Sequence, residues 1–220
     1  MAEKNVQSTV KDEALIKKRR DQLVKAAVSL IKIKGFHRTT TREIARAAGF
    51  SIGTLYEYIR TKEDVLYLVC DDIYNKVSSR LKTAIALKRD GVLSLKEAIK
   101  GCVYIMDEMQ DEVLVMYQEA KSLAKDALPY VLNKEMEMVG LFEEVLEHGV
   151  ASGHFQLTPK EKLFYAHHIL VQCQMWAFRR WGLASRFTVR EFADLLAETI
   201  VSGLINREKP GPVDPELRGR

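Results

Sequence analysis

The sequence predicts an all-α fold of about nine helices. Three observations lead there. Nearly every segment carries a helical period. Helix-forming residues dominate a 220-residue chain that has only five prolines and twelve glycines. No internal repeat or low-complexity block interrupts the pattern. With 47% apolar and 29% charged residues, the chain reads as an ordered globule with enough length for a small domain fused to a larger one.

From Asp12 to Lys34, the residues Ile16, Leu23, Ala27, Leu30 and Ile31 recur at three- and four-residue steps, which marks one buried stripe on a first helix. Gly35 is its stop signal. Thr40 and Glu43 have capping-box spacing, so Thr41–Ala48 reads as a short second helix ended by Gly49. Ser51 is placed to cap a third helix running to Ile59, and Thr61 with Asp64 opens a fourth that runs toward Leu87. Asp90-Gly91 is a turn signal, after which Ser94 is read as the cap of the next helix. Further helices are expected at about 95–110, 112–125, 127–151, 159–182 and 189–206, with Thr158-Pro159 starting the penultimate one. The division that follows is 1–60 for a basic arm and the first three helices, 61–207 for a helical body, and 208–220 for a proline-rich, disordered tail.

Composition removes several classes. Charged residues at Glu3, Lys4, Asp12 and Glu13 stand where a secretory signal needs an apolar run. Apolar stretches such as Ile169–Val171 are far shorter than the roughly 18 residues of a membrane span, so a cytoplasmic protein without membrane contact is expected. Cys70, Cys102 and Cys173 are scattered and form no C-x-x-C pair, which points to buried reduced thiols. His167 and His168 are adjacent and cannot share a helix face, so no metal site and no cofactor is expected. Neither G-x-S-x-G, H-E-x-x-H, a Walker loop nor a dinucleotide fingerprint is present, which speaks against an enzyme.

Charge is unevenly placed. Residues 1–60 hold thirteen Lys/Arg against six Asp/Glu, and the remainder carries a net −3. A basic end on a mildly acidic body is the footprint of a protein that docks one domain on a polyanion. Between Thr39 and Lys62 the spacing becomes specific, with two short helices separated by Gly49-Phe50-Ser51, the tight turn of a helix-turn-helix unit. A 100° wheel over residues 52–59 puts Ile52, Leu55 and Ile59 on one side, with Gly53, Thr54, Glu57 and Tyr58 opposite.

The run Gly35-Phe36, Thr40-Thr41-Arg42-Glu43-Ile44-Ala45, Ala48-Gly49-Phe50-Ser51, Gly53-Thr54-Leu55-Tyr56-Glu57-Tyr58-Ile59 and Lys62-Glu63-Asp64-Val65-Leu66 closely resembles the DNA-binding segment of TetR-family regulators. The resemblance implies an N-terminal three-helix helix-turn-helix domain followed by a C-terminal ligand-binding and dimerisation domain. It also implies a homodimeric, ligand-responsive repressor of palindromic double-stranded operator DNA. Thr40 and Thr41 would contact phosphate from a helix N-terminus. Arg42 would enter the major groove, where its fork suits guanine. Thr54 and Tyr56 would lie nearest the bases, although Tyr56 sits on the wheel's inner shoulder and could equally be core. Gly53 would let backbone approach DNA, and Tyr58, Lys62 and Ser51 would anchor on the sugar-phosphate backbone. Glu57 departs from the pattern, because a carboxylate repels phosphate unless it accepts from a cytosine amino group. Lys17, Lys18, Arg19 and Arg20 either add contacts to DNA or form a solvated charge run.

In the body, Phe164–Trp181 is apolar almost all round, so one face is expected to pack within the chain and another against a twin. Met106, Met109, Tyr117 and Phe142, with His168, Gln172 and Trp176 at i, i+4 and i+8 on one helix, suggest an apolar cavity with a few polar groups. The expected effector is small and mostly apolar, an acyl chain or an aromatic compound. Arg179 and Arg180 could meet an acyl-CoA phosphate or simply form ion pairs.

Overall fold

The computed structural model of the chain describes residues 6, 8–86, 90–119 and 128–205. Among them are nine α-helices and no strand: α1 (Glu13–Lys34), α2 (Thr41–Ala47), α3 (Ile52–Tyr56), α4 (Glu63–Ala86), α5 (Gly91–Glu108), α6 (Gln110–Glu119), α7 (Leu128–Ala151), α8 (Pro159–Leu183) and α9 (Val189–Ile205). The tail expected at 208–220 lies outside the described residues.

Helices α1 to α3 make a small head. Asp12 caps α1 by accepting from the Leu15 N–H at 3.0 Å, and α1 ends where Gly35 takes φ 78°. The capping box of α2 is complete, with Glu43 accepting from the Thr40 N–H at 2.9 Å and donating its own N–H to Thr40 Oγ1 at 3.3 Å. Gly49, at φ 75°, turns the chain between α2 and α3, a conformation that costs a side-chain-bearing residue. Leu23, Ile44, Leu55 and Ile59 meet in the middle at 0% exposure.

Two expectations about helix ends are corrected. Helix α3 stops at Tyr56, three residues short of the expected Ile59. Helix α5 starts at Gly91 because the Asp90 carboxylate accepts from the Leu93 N–H at 2.8 Å. Ser94 is therefore buried inside the helix instead of capping it; a turn aspartate competes well for an N-cap position.

The body is assembled around α5, which packs on α4, α7, α8 and α9. Its Gly91 meets α7 so closely that a Cβ there would lie 2.4 Å from Gly149 Cα. Two helices join head to body. Val65 and Leu66 of α4 are buried in the head before the helix runs on into the body. Helix α6 touches α1 through the Lys32–Asp111 ion pair at 2.7 Å and through Glu119, which accepts from the Phe36 N–H at 3.1 Å.

Candidate nucleic-acid interface and effector cavity

The N-terminus of α2 and the exposed side of α3 lie next to each other on the surface of the head. The Thr41 hydroxyl and the Tyr56 hydroxyl are 3.2 Å apart, so the start of α2 is tied to the end of α3. Tyr56 is 48% exposed, which resolves its two readings in favour of an outward ring. Arg42 is exposed and has no ion pair among the described residues. Ser51 caps α3 by accepting from the Thr54 N–H at 3.0 Å, and its hydroxyl lies 3.0 Å from that of Thr54. Gly53 is exposed between them. Thr40 sits at the edge of this face with its hydroxyl 2.7 Å from Glu43. Glu43 is held by Lys34 at 2.6 Å and by Thr40, and these contacts lower its carboxyl to about 2.

Three placements differ from the sequence reading. Tyr58 is only 3% exposed and packs its ring on Phe50 at 6.4 Å. Because α3 unwinds after Tyr56, the wheel loses its phase and Tyr58 turns inward; it is not a surface anchor. Ile52, the first residue of α3, is 38% exposed although the wheel placed it on the buried side. Lys62 donates to the carbonyls of Phe36 at 3.0 Å and His37 at 3.4 Å and sits 4.2 Å over the Phe36 ring. Its half-exposed side chain therefore ties the start of α4 to the α1–α2 turn.

The basic run of α1 divides. Arg19 stacks on Phe50 at 5.0 Å, whereas Arg20 bonds the Val6 carbonyl and reaches the Tyr58 carbonyl at 3.4 Å. Lys17 and Lys18 remain exposed. The arm before α1 lies back on the head, where Ser8 Oγ and the Thr9 N–H donate to the Glu57 carbonyl at 2.7 and 3.0 Å. Sequence reading missed Arg46, exposed one helical turn beyond Arg42; the i, i+4 spacing of the two arginines was the available signal.

In the body, a cavity of about 300 Å³ opens between α4, α6, α7 and α8. Met106 and Tyr117 line it as expected, together with Met116, Met138 and Phe178. The Tyr117 and Phe178 rings pack tilted at 38°, with centroids 4.5 Å apart, along its wall. The other expected lining residues are elsewhere. Met109 and Phe142 are core at 2% and 0% exposure. Trp176 is also buried, donating its indole N–H to Asp107 at 2.8 Å and packing on Phe192. His168 and Gln172 pair with each other at 3.2 Å on the outer side of α8. The stripe 168, 172 and 176 therefore spirals from surface to core without meeting the cavity. Besides Tyr117, the polar residues lining the cavity are Glu135 and Gln174, which the sequence reading missed. Arg180 pairs with Asp107, and Arg179 lies 5.1 Å over the Trp181 ring.

Helix α8 buries Ala166, Ile169, Leu170, Cys173 and Ala177 on one side, and leaves Phe164, Val171 and Trp181 exposed at 62%, 58% and 79% on the other. All three cysteines are free and buried. Among the described residues no helix is long and apolar enough to cross a membrane, and no His/Cys/Asp/Glu group is arranged to hold a metal ion.

Comparison with known proteins agrees with this architecture. Residues 23–67 match the family model for bacterial regulatory proteins of the tetR family, and residues 90–204 match that for a tetracyclin repressor-like C-terminal domain. The chain is 26% identical over 190 residues to the HTH-type transcriptional regulator HbdR of Aromatoleum sp. (strain CIB), covering 86% of this chain and 82% of that protein. It is 24% identical over 164 residues to the HTH-type transcriptional repressor KstR2 of Mycolicibacterium smegmatis, covering 74% of this chain and 78% of that protein. Its fold is similar to that of AibR, solved in complex with isovaleryl coenzyme A and operator DNA, at a TM-score of 0.67 and 18% identity over 82% of this chain and 97% of that one. With its head, its body and more than half of its length in the second match, the chain belongs to the TetR family of ligand-responsive, DNA-binding transcriptional regulators.

Proposed function

We propose that this chain represses transcription as a homodimer, holding palindromic operator DNA with Thr40, Thr41, Arg42, Ser51, Gly53, Thr54 and Tyr56, and that a small, mostly apolar effector in the α4–α6–α7–α8 cavity releases it. The observation that carries the reading is the outward face on which Arg42 and Tyr56 stand exposed with their neighbours fixed by caps. One such face spans too few bases for specificity; two of them about 34 Å apart read successive major grooves. The exposed apolar side of α8 supports a twin packed there, since patches of that kind on a soluble protein mark interaction surfaces. KstR2's name as a repressor and AibR's complex with isovaleryl coenzyme A and operator DNA favour repression and an acyl or aromatic effector.

In this reading the head extends to about residue 60, the effector and dimer body runs from 61 to 207, and the protein works in the cytoplasm, where its DNA is. Release is a population shift. A ligand against Tyr117 and Met116 moves α6, whose Asp111 holds α1 and whose Glu119 holds the turn after it, and α4, packed on α1, carries the same displacement to the head. The effector must bind the DNA-incompetent arrangement more tightly, or it shifts nothing.

The test is a gel shift with DNA from upstream of the protein's own gene, repeated with acyl and aromatic effectors and paired with a measurement of mass in solution. Specific retention as a dimer, lost with an effector, is the expected result. A monomer, or retention equal on unrelated DNA, overturns the reading.

A further inference from the structure

Among the described residues that line the cavity, only Tyr117, Glu135 and Gln174 carry a polar side-chain group. Glu135, on α7, and Gln174, on α8, meet on its wall, with the Gln174 amide N–H donating to the two carboxyl oxygens at 3.3 and 3.5 Å. These are long contacts, and among the described residues they are the only hydrogen bonds either side chain makes. A carboxyl has about four acceptor positions and an amide four hydrogen-bonding positions in all, so most of the capacity of the pair is left for something in the cavity. Among the described residues no Lys or Arg forms an ion pair with Glu135. Its neighbour Lys134 turns the other way, toward α4, where it pairs with Glu137 at 3.0 Å and lies 4.4 Å over the Tyr74 ring. His167, exposed on α8, is the basic group that acts on Glu135 from the facing helix. Burial pushes the Glu135 carboxyl above the usual carboxylate range.

A ligand group placed against this pair must satisfy it without adding a second negative charge. A hydroxyl does so, because it donates to the carboxylate and accepts from the amide N–H. A hydrocarbon leaves both groups dry and unpaired, and a carboxylate adds like-charge repulsion in a poorly hydrated site. Resting on the effector reading above, we propose that Glu135 and Gln174 form the polar anchor of the cavity. They select an effector whose buried part is an uncharged ring or short chain bearing a hydroxyl, and reject one that puts a free carboxylate there. A volume of about 300 Å³ is at the small end for a ligand pocket, which suits a skeleton of that size.

Three probes with one skeleton test this on the full-length protein: 3-phenylpropanol, n-propylbenzene and 3-phenylpropionate. Binding is measured by calorimetry, and heat unfolding of each variant confirms that it is folded. Wild type is expected to bind the alcohol about ten-fold or more tighter than the carboxylate and several-fold tighter than the hydrocarbon. Glu135→Leu should bring alcohol and hydrocarbon within about three-fold of each other. The isosteric Glu135→Gln should keep alcohol binding and shrink the penalty on the carboxylate about five-fold or more; it also serves if the leucine variant fails to fold. Equal binding of alcohol and carboxylate, or selectivity unchanged in Glu135→Gln, overturns the anchor while leaving the effector site in place. If none of the probes binds or raises the unfolding midpoint, the cavity is not a small-molecule site, and the effector reading falls with the anchor.

Discussion

Head and body solve the same packing problem by different means. The head is small and holds its shape with local devices: reciprocal caps at Thr40 and Glu43, the Ser51 cap, the Gly49 turn, and Lys62 bonded into the α1–α2 turn. Leu23, Ile44, Leu55 and Ile59 are fully buried at its centre. The body relies on apolar burial between long helices and leaves a cavity of about 300 Å³ with a carboxyl on its wall. Two glutamates make the contrast concrete. Glu43, exposed and held by Lys34 and Thr40, is lowered to about 2, whereas burial raises Glu135. A unit fixed by local caps can present side chains in set positions, as reading DNA requires. One with a cavity between its helices can change shape around a ligand, as release requires.

Substitutions can break or sharpen that contrast. The largest effect is expected in the head core, where Leu55→Ala should cost about 2–5 kcal/mol. Leu132→Ala at the cavity wall, 55% exposed, should cost less than about 0.5 kcal/mol; denaturant unfolding compares them, and equal losses would mean the body is as tightly packed as the head. Arg42→Ala should leave unfolding unchanged and weaken binding to upstream DNA about ten-fold or more, about 1–3 kcal/mol, as read by fluorescence anisotropy. Gly91→Ala forces a Cβ against the Gly149 backbone at 2.4 Å and should lower stability by about 1–3 kcal/mol, so the α5–α7 contact is one place where the body is tight. Glu119→Ala removes the α6 hold on the Phe36 N–H. It should reduce the effector's influence on DNA affinity by about 0.5–2 kcal/mol while leaving effector affinity for the free protein within about three-fold, measured by titrating effector with and without DNA.

The smallest effect is on acid stability. Glu43 is lowered in the folded protein, so its contribution is present above its unfolded value near 4.5 and is lost as pH falls toward about 2. Across that window Glu43→Gln should show a shallower loss of unfolding midpoint than wild type. Glu135 has the opposite sign. Its raised carboxyl favours the protonated folded form, so its contribution fades as pH rises through the folded value.

The contrast also explains what could be read from residue order. Caps and turns act over three or four residues, so Thr40–Glu43, Gly49 and Ser51 announce the head's helices. Tyr58 was misplaced because a wheel assumes that the helix continues, and α3 ends at Tyr56. Asp90 and Ser94 are both good caps, and only the packing of Gly91 against α7 decides between them. The cavity was harder to see. Helix α8 is apolar nearly all round, so periodicity cannot say which stripe faces inward. His168 and Gln172 fell on the outside while Gln174, two residues on, lines the cavity. Glu135 carries no local signal, since its role depends on α8 lying across from it.

The outward face of the head is where DNA binding is decided. Hydroxyl-radical footprinting of the wild-type protein on its own upstream DNA measures this directly. Two protected stretches related by a two-fold axis, about one helical turn apart and lost together in Arg42→Ala, are the predicted result. Protection that is single, absent, or unchanged by Arg42→Ala would contradict it.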